Sequence, residues 1–424
     1  MSFARQGSWM VCCTTLAGIF MFGVHCFPLW HGAASYSAFF LFVSVINLSN
    51  LPTLGIQTVF AYETARRGPS ADLGEVAGNL VGILVVMTLG WVGLFLSLLA
   101  GEAWIKTTLK LADLKALWVT MIAVLLYFWL PALMGVMQGR QRFGILGGTV
   151  LANGMGRFLG VGIMLAWFGG NLPIMMIGPI LGVGLAVGLG TWSVRDLWGV
   201  GVRNIAWRRW LWRALPFSMG PGIVQFMLTA DYFVARSTFD IEQSGLYGAT
   251  GLAGRAGVMF VGPIAGVMFP KLVREGGTRR GAGLIAKTAI ATTLIVGLGI
   301  GLSGIGFYSL PWGLQWIESA QWIPQAGREL VASRETRLLE IASLVPLFLM
   351  AMGPLAVANV FINHLVAGEH FRRIGWLAGW CAFYGVGLVT LPFTMKGLIA
   401  WLGFGNGVLL LGAALLSRQS VEHD

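Results

Sequence analysis

Apolar residues run along this chain in long blocks, and the polar positions are gathered into short stretches between them. Blocks of about 20 residues, enough for a helix to cross a bilayer, occur twelve times. They cover 9–29, 36–60, 76–100, 116–138, 144–168, 173–194, 211–236, 244–270, 283–310, 338–365, 372–392 and 397–417. Within a block, apolar and polar positions do not alternate, which excludes the short strands of a membrane barrel. The pattern predicts an all-α polytopic membrane protein with about twelve transmembrane helices. An even number of crossings puts both termini on one side.

The polar stretches orient these spans. Lys and Arg concentrate in alternate loops: Arg5; Arg66 and Arg67; Arg140 and Arg142; Arg195 to Arg213; Lys271 to Lys287; Arg372 and Arg373; and Arg418. The opposite loops carry fewer, among them Lys106, Lys110, Lys115, Arg236 and Lys396. The richer side is read as cytoplasmic, so both termini are expected inside. Two arginines fall in no loop. Arg157 and Arg255 lie near the middle of spans five and eight.

Composition agrees with this pattern. Of 424 residues, 56% are hydrophobic and only 11% charged, whereas a soluble domain carries about 25% charged residues. Sixty-one glycines suit transmembrane helices better than soluble ones. The net charge of +11 sits in membrane loops and does not indicate nucleic acid. Cys12, Cys13, Cys26 and Cys381 lie within apolar runs and read as packing residues, not a disulfide framework. The first apolar run has no small-x-small cleavage site and is expected to be a retained helix. Two connections mix Trp with polar residues: "VRNIAWRRWLWRALP" on the inner side and "PWGLQWIESAQWIP" on the outer. Both are expected to anchor at the headgroups, the first as an interfacial helix.

The halves echo each other. "AASYSAFF" opens span two and "SGLYGATG" span eight, aligning Tyr36 with Tyr247. "MQGRQRFG" follows span four and "VAGEHFRR" span ten, aligning Gly139 with Gly368. Two six-span lobes of like orientation, 1–205 and 206–424, would give this repeat.

Several stretches, in order, resemble one family: "LPTLGIQTVFAYETAR", "MQGRQRFG", "LPFSMGPGIVQFMLTADYFVAR", "SGLYGATG" and "MFPKL". They are similar to the polysaccharide-transporter, O-antigen flippase-like members of the multidrug/oligosaccharidyl-lipid/polysaccharide (MOP) exporter superfamily. The resemblance implies a MATE-like fold of two six-helix lobes around a central cavity, working by alternating access. It implies a bacterial inner-membrane flippase with an anionic lipid-linked sugar as cargo. Membrane lipids, and a polysaccharide polymerase or glycosyltransferases, are its implied partners.

The mid-span charges are candidate chemistry. A charge at mid-bilayer costs at least about 2.5–3.5 kcal/mol on insertion scales, so such residues face a cavity or a partner. By helix rise, Arg157 and Arg255 lie roughly 16–20 Å deep. A diphosphate joining a sugar to a polyprenol needs cationic donors, and the Arg fork suits phosphate oxygens. Arg157 and Arg255 are therefore candidate head-group ligands. Asn153, one turn before Arg157, either shares its ligand or orients it. Gly248 and Gly251 would let a helix or a lipid approach Arg255. Asp231 in span seven offers a structural alternative, as the ion-pair partner of Arg255. A carboxylate switching between that pair and a coupling cation is a third reading. Gln138, Arg140 and Arg142 stand at the cytoplasmic mouth, where they would attract an anion, although the inside-positive bias alone accounts for the arginines.

Other motifs carry no chemistry. "GIGLSG" matches G-x-G-x-x-G but lies in an apolar span without a preceding strand. Ser303 within it and His364 in span ten, as nucleophile and base, would lie on the order of 25 Å apart in depth. There is no P-loop, no metal-ligand spacing and no cofactor motif. An enzyme, whether glycosyltransferase or intramembrane protease, is the less favoured class. The nearer rival is a cation-coupled multidrug exporter of the same superfamily. It is disfavoured because span one carries His25 and no acid, and because buried arginines suit an anionic cargo.

Overall fold

The computed structural model describes residues 3–30, 33–67, 73–198, 206–275, 279–319 and 335–423, with three single residues between the last two segments. Among them there are helices and turns and no strand. In a bilayer every backbone N–H and C=O must be paired within the protein, and helices do this locally.

Eighteen α-helices follow one another along the described residues. They are α1 (Phe3–Gly23), α2 (Cys26–Trp30), α3 (Ala33–Ser49), α4 (Leu54–Arg67), α5 (Leu73–Ala100), α6 (Glu102–Thr108), α7 (Lys115–Gly139), α8 (Phe143–Phe168) and α9 (Leu172–Met175). Then come α10 (Ile177–Ser193), α11 (Arg195–Trp198), α12 (Trp207–Met227), α13 (Ala230–Thr238), α14 (Ile241–Glu275), α15 (Arg279–Ser319), α16 (Glu335–Ala367), α17 (Phe371–Thr390) and α18 (Met395–His423). Each expected span coincides with helix. Eight stretches of the described residues are long and apolar enough to cross a membrane. Spans one, seven, eight and eleven are not among them; of these, seven and eleven have visible causes. Span seven is split between α12 and α13, and span eleven opens on Arg372 and Arg373.

Three elements differ from expectation. The stretch expected as an interfacial helix is, from Trp207 on, the first turns of α12 and continuous with span seven. Trp210 and Ala214 are buried while Arg208, Arg209 and Trp212 are exposed, so one helix turns an apolar face to the core and leaves a basic, Trp-bearing face open. Span two is broken by a 3-10 turn at Leu51–Thr53, where Pro52 removes a donor. Span nine runs on through Pro311 to Ser319. Trp312 and Trp316, expected in a connection, sit exposed on its end. Trp322 lies outside the described residues.

The chain divides by its contacts into two units, 1–237 and 238–424. Span seven falls in the first, one span beyond the lobe boundary expected at 205/206. Its helix α12 packs on α4 and α5.

Glycines set the packing of the first unit. α8 lies between α1 and α10. A Cβ added at Gly156 would be 2.8 Å from Gly182 Cα, and one at Gly160 would be 2.9 Å from Gly178 Cα. Gly156/Gly160 and Gly178/Gly182 are thus facing small-x-x-x-small pairs that bring the two backbones together. On the other side of α8, Gly154 meets Ala17 in the same way, at 2.6 Å from its carbonyl oxygen. α7 uses Gly135 and Gly139 to close on α4.

In the second unit α16 packs against α14, α15 and α18. A Cβ at Gly254 would be 2.9 Å from Phe348 O. Asn406 donates to Ala351 O at 2.9 Å, joining α18 to α16. Tyr36 and Tyr247, the aligned tyrosines of the two halves, are each fully buried in their own unit. Tyr36 packs on Phe40, and Tyr247 sets its ring edge-on to Phe348 at 4.9 Å.

Candidate functional site

Arg157 stands in the middle of α8 with only 5% of its surface exposed. The glycine contacts with α10 explain its burial: a Cβ at Gly182 would be 2.6 Å from Arg157 N. The backbone beneath the side chain is therefore covered by α10, and the guanidinium extends toward α7. There its Nη2 donates to the Tyr127 hydroxyl at 2.6 Å, and its Cζ lies 5.8 Å from the Tyr127 ring centroid. Tyr127 in turn donates to Asn153 Oδ1 at 3.0 Å. All three side chains are buried. Arg157 Nε is buried and finds no hydrogen-bond partner among the described residues. Arg157 and Asn153 are thus joined through a third residue. A lone Tyr in an apolar span gave no sequence signal, because its part depends on how α7 meets α8.

Asn153 and Arg157, one turn apart, share a face of α8. Tyr127 reaches them because the α7–α8 hairpin turns tightly at Arg140–Arg142, with Gln141 in the left-handed region at φ +56°. Three polar side chains are thereby collected in an apolar surrounding, where hydrogen bonds are strong and unmet donors costly. The set can accept an anion: it offers a permanent cation, one open N–H and a rotatable hydroxyl.

The other candidates are placed elsewhere. Arg255 is buried in α14, in the second unit. Its guanidinium folds back along its own helix over Gly251, where an added Cβ would collide with Nη1. Gly251 therefore makes room for Arg255 itself and also for Phe348 of α16, whose Cε1 would lie 3.1 Å from the added Cβ. Gly254 admits the same helix, against the Phe348 backbone. Asp231 is fully buried in the first turn of α13, in the first unit. The break between α12 and α13 gives its carboxylate a helix N-terminus, a favourable place for negative charge.

The mouth residues have structural partners. Gln138 Oε1 accepts from Gln57 Nε2 at 3.1 Å. Arg140 Nη1 donates to both carboxylate oxygens of Asp196, at 2.9 and 2.8 Å. Arg142 donates to the Ser193 carbonyl oxygen. These two arginines tie the α7–α8 turn to the end of α10 and to α11, and Asp196 offsets part of their charge.

Arg236, counted above as a loop charge, lies instead within α13 and is 2% exposed. It donates from Nε to Leu109 O at 3.0 Å, from Nη1 to Ser37 Oγ at 2.7 Å and from Nη2 to Lys110 O at 3.1 Å. Tyr232 donates to Ser37 O at 2.6 Å. The C-terminal end of span seven is thus pinned to α3 and to the end of α6. At its N-terminal end Arg213 pairs with Glu63 and lies 4.7 Å from the Tyr62 ring centroid, while Gly55 N donates to Ser218 Oγ at 2.8 Å. Ser303, weighed above as a nucleophile, donates to Ile300 O at 2.8 Å within its own helix. No group of three or more His, Cys, Asp or Glu among the described residues is arranged to hold a metal ion.

The helical architecture matches known structures over nearly its whole length. The fold is that of the MATE transporters. An inward-facing multidrug-resistance MATE transporter of the MOP superfamily matches with a TM-score of 0.68 at 12% identity, covering 96% of this chain and 94% of its own. A MOP-superfamily transporter of Pyrococcus furiosus, described as having a binding pocket of reversed polarity that suggests a different function, matches with a TM-score of 0.61 at 12% identity, covering 99% and 95%. The Vibrio cholerae MATE transporter VcmN in its bent form matches at 0.56 and 13%, covering 99% and 97%. No family model and no curated protein matches the chain. At such identities the likeness concerns the fold, and the site must be read from this chain's own residues.

Proposed function

We propose that this chain is a multi-pass transporter that turns a lipid-linked oligosaccharide or polysaccharide precursor from the cytoplasmic to the outer leaflet by alternating access. The observation that carries the reading is Arg157: a buried guanidinium at mid-span whose Nε–H has no protein partner among the described residues. So costly a charge is retained where it meets an anion during function, and the diphosphate of a polyprenol-linked sugar is such an anion. Arg255, buried in the second unit, is assigned the same kind of role, with Asp231 as a candidate for gating. Glycosyltransferases that build the cargo on the inner face and a polymerase that consumes it outside are the partners this reading requires. A bacterial inner membrane with cytoplasmic termini is the corresponding location.

A multidrug exporter is the second reading, favoured by fold neighbours that are multidrug-resistance MATE transporters. A buried cation with no carboxylate partner among the described residues speaks against a cationic drug as cargo.

The two separate in proteoliposomes carrying a fluorescent lipid-linked oligosaccharide. The wild-type chain is expected to expose the label to an external quencher. Arg157→Gln is expected to slow this at least about tenfold, the loss of one charge-assisted contact, while keeping its thermal midpoint. Wild-type translocation by Arg157→Gln would sink the head-group reading. Transport of a cationic dye in place of the lipid-linked sugar would establish the rival.

A further inference from the structure

We propose that Tyr127 is a second donor of the Arg157 anion site, and that the site therefore prefers a tetrahedral phosphoryl group to a planar carboxylate. This rests on the flippase reading above and names the chemistry by which its site recognises cargo.

The argument starts from the guanidinium's geometry. Its Nε–H and one Nη2–H point out along the same edge, the edge a carboxylate grips with two coplanar oxygens. Here Nη2 already gives one of its two hydrogens to the Tyr127 hydroxyl at 2.6 Å, and with the edge hydrogen so engaged the two-pronged grip is not on offer. What remains on that edge is Nε–H, buried and without a protein partner among the described residues. An anion oxygen accepting from Nε comes to lie beside the phenol oxygen. The phenol hydrogen, now given to Asn153 Oδ1 at 3.0 Å, can rotate about the C–O bond. It can then serve a second oxygen of the same anion while the phenol oxygen keeps accepting from Nη2. Carboxylate oxygens accept best in the plane of the group, whereas each phosphoryl oxygen accepts all around its P–O bond. Two donors that share no plane therefore suit a phosphoryl group, and a carboxylate would satisfy only one of them well. Asn153 is then the residue that holds the phenol hydrogen until cargo arrives, and no bond is made or broken.

The alternative is that Tyr127 only fills the edge and is pushed aside by cargo. The two differ in sign. Removing a stand-in frees the fork and tightens binding, whereas removing a donor weakens it.

The full-length protein in detergent would be titrated with geranylgeranyl diphosphate, geranylgeranoic acid and inorganic diphosphate, following intrinsic fluorescence. Tyr127→Phe keeps the ring, and its thermal midpoint is checked alongside. It is expected to weaken geranylgeranyl diphosphate about tenfold or more and geranylgeranoic acid by no more than about twofold, the signature of a donor used by only one of them. Equal or tighter diphosphate binding by Tyr127→Phe overturns the proposal. Tyr127→Met, which fills similar volume without a donor, is read by the same criterion should the Phe variant fail to fold. Arg157→Gln separates this inference from the reading beneath it. If Arg157→Gln loses diphosphate binding while Tyr127→Phe retains it, only the assignment of Tyr127 falls. If Arg157→Gln binds like the wild type, the head-group site falls with it. Inorganic diphosphate is expected to bind at least tenfold more weakly than the prenylated form, and parity would overturn the lipid-linked source.

Discussion

Gly182 decides how closely α10 can approach Arg157. A Cβ there would lie 2.5 Å from Asn153 O and 2.6 Å from Arg157 N. Both are backbone atoms of α8 and cannot rotate away. Gly182→Ala is therefore expected to cost about 1–3 kcal/mol, the usual range for overpacking, and to lower the thermal midpoint in detergent. Gly184→Ala, on the same helix, would meet nothing nearer than Leu126 Cδ1 at 4.0 Å, and its midpoint should stay at the wild-type value. Gly251→Ala differs from both, because its added Cβ would strike the flexible end of Arg255. That side chain can swing aside, so a smaller stability loss is expected than for Gly182→Ala. The displaced guanidinium should appear as reduced binding of an anionic lipid. Equal midpoints for Gly182→Ala and Gly184→Ala would refute this account of the α8–α10 approach.

Span seven is held at two ends by different physics. The C-terminal clasp is a buried guanidinium whose three nitrogens meet three neutral acceptors, Ser37 Oγ and the carbonyls of Leu109 and Lys110. Arg236→Met would leave these buried groups short of a donor, so a loss of roughly 1–3 kcal/mol is expected. The N-terminal clasp pairs Arg213, with a side chain 40% exposed, with Glu63. Solvent screening keeps such a pair to about 1 kcal/mol or less, so Glu63→Gln should change the midpoint little. Thermal unfolding of the two variants checks the order, and a larger loss in Glu63→Gln than in Arg236→Met would reverse the assignment. Because span seven is pinned at both ends within the first unit, hydrogen exchange in α13 should rise in Arg236→Met and not in Glu63→Gln.

At the scale of the molecule the inside-positive distribution of loops makes a topological prediction. In a cysteine-free background, Ser420→Cys should be labelled by an impermeant maleimide only in inside-out vesicles. Ser319→Cys, at the exposed end of α15, should be labelled only from the outside. The opposite result would invert the orientation and, with it, the direction of transport assigned above. The likeness to MATE transporters at 12–13% identity extends over the whole chain. What is preserved at that distance is the arrangement of helices, which many cargoes can share.

The amino-acid sequence by itself determined the helical membrane class, where the long apolar helices lie and the two anomalous arginines. These are local properties: a bilayer demands about 20 apolar residues whose backbone bonds close within the segment, and a charge inside such a run is visible without any neighbour. Asn153 was legible for the same reason, since it shares a helix face with Arg157. Only the tertiary structure decided what these residues touch. Tyr127 joins the site because a hairpin turns α7 onto α8. Gly182 matters because it lies under Arg157's backbone, and Gly251 because Arg255 folds over it. Arg236 becomes a clasp because the carbonyls at the end of α6 come within its reach. Each of these depends on a contact between residues far apart in the chain or on a rotamer chosen by packing, and periodicity along one helix carries no information about either.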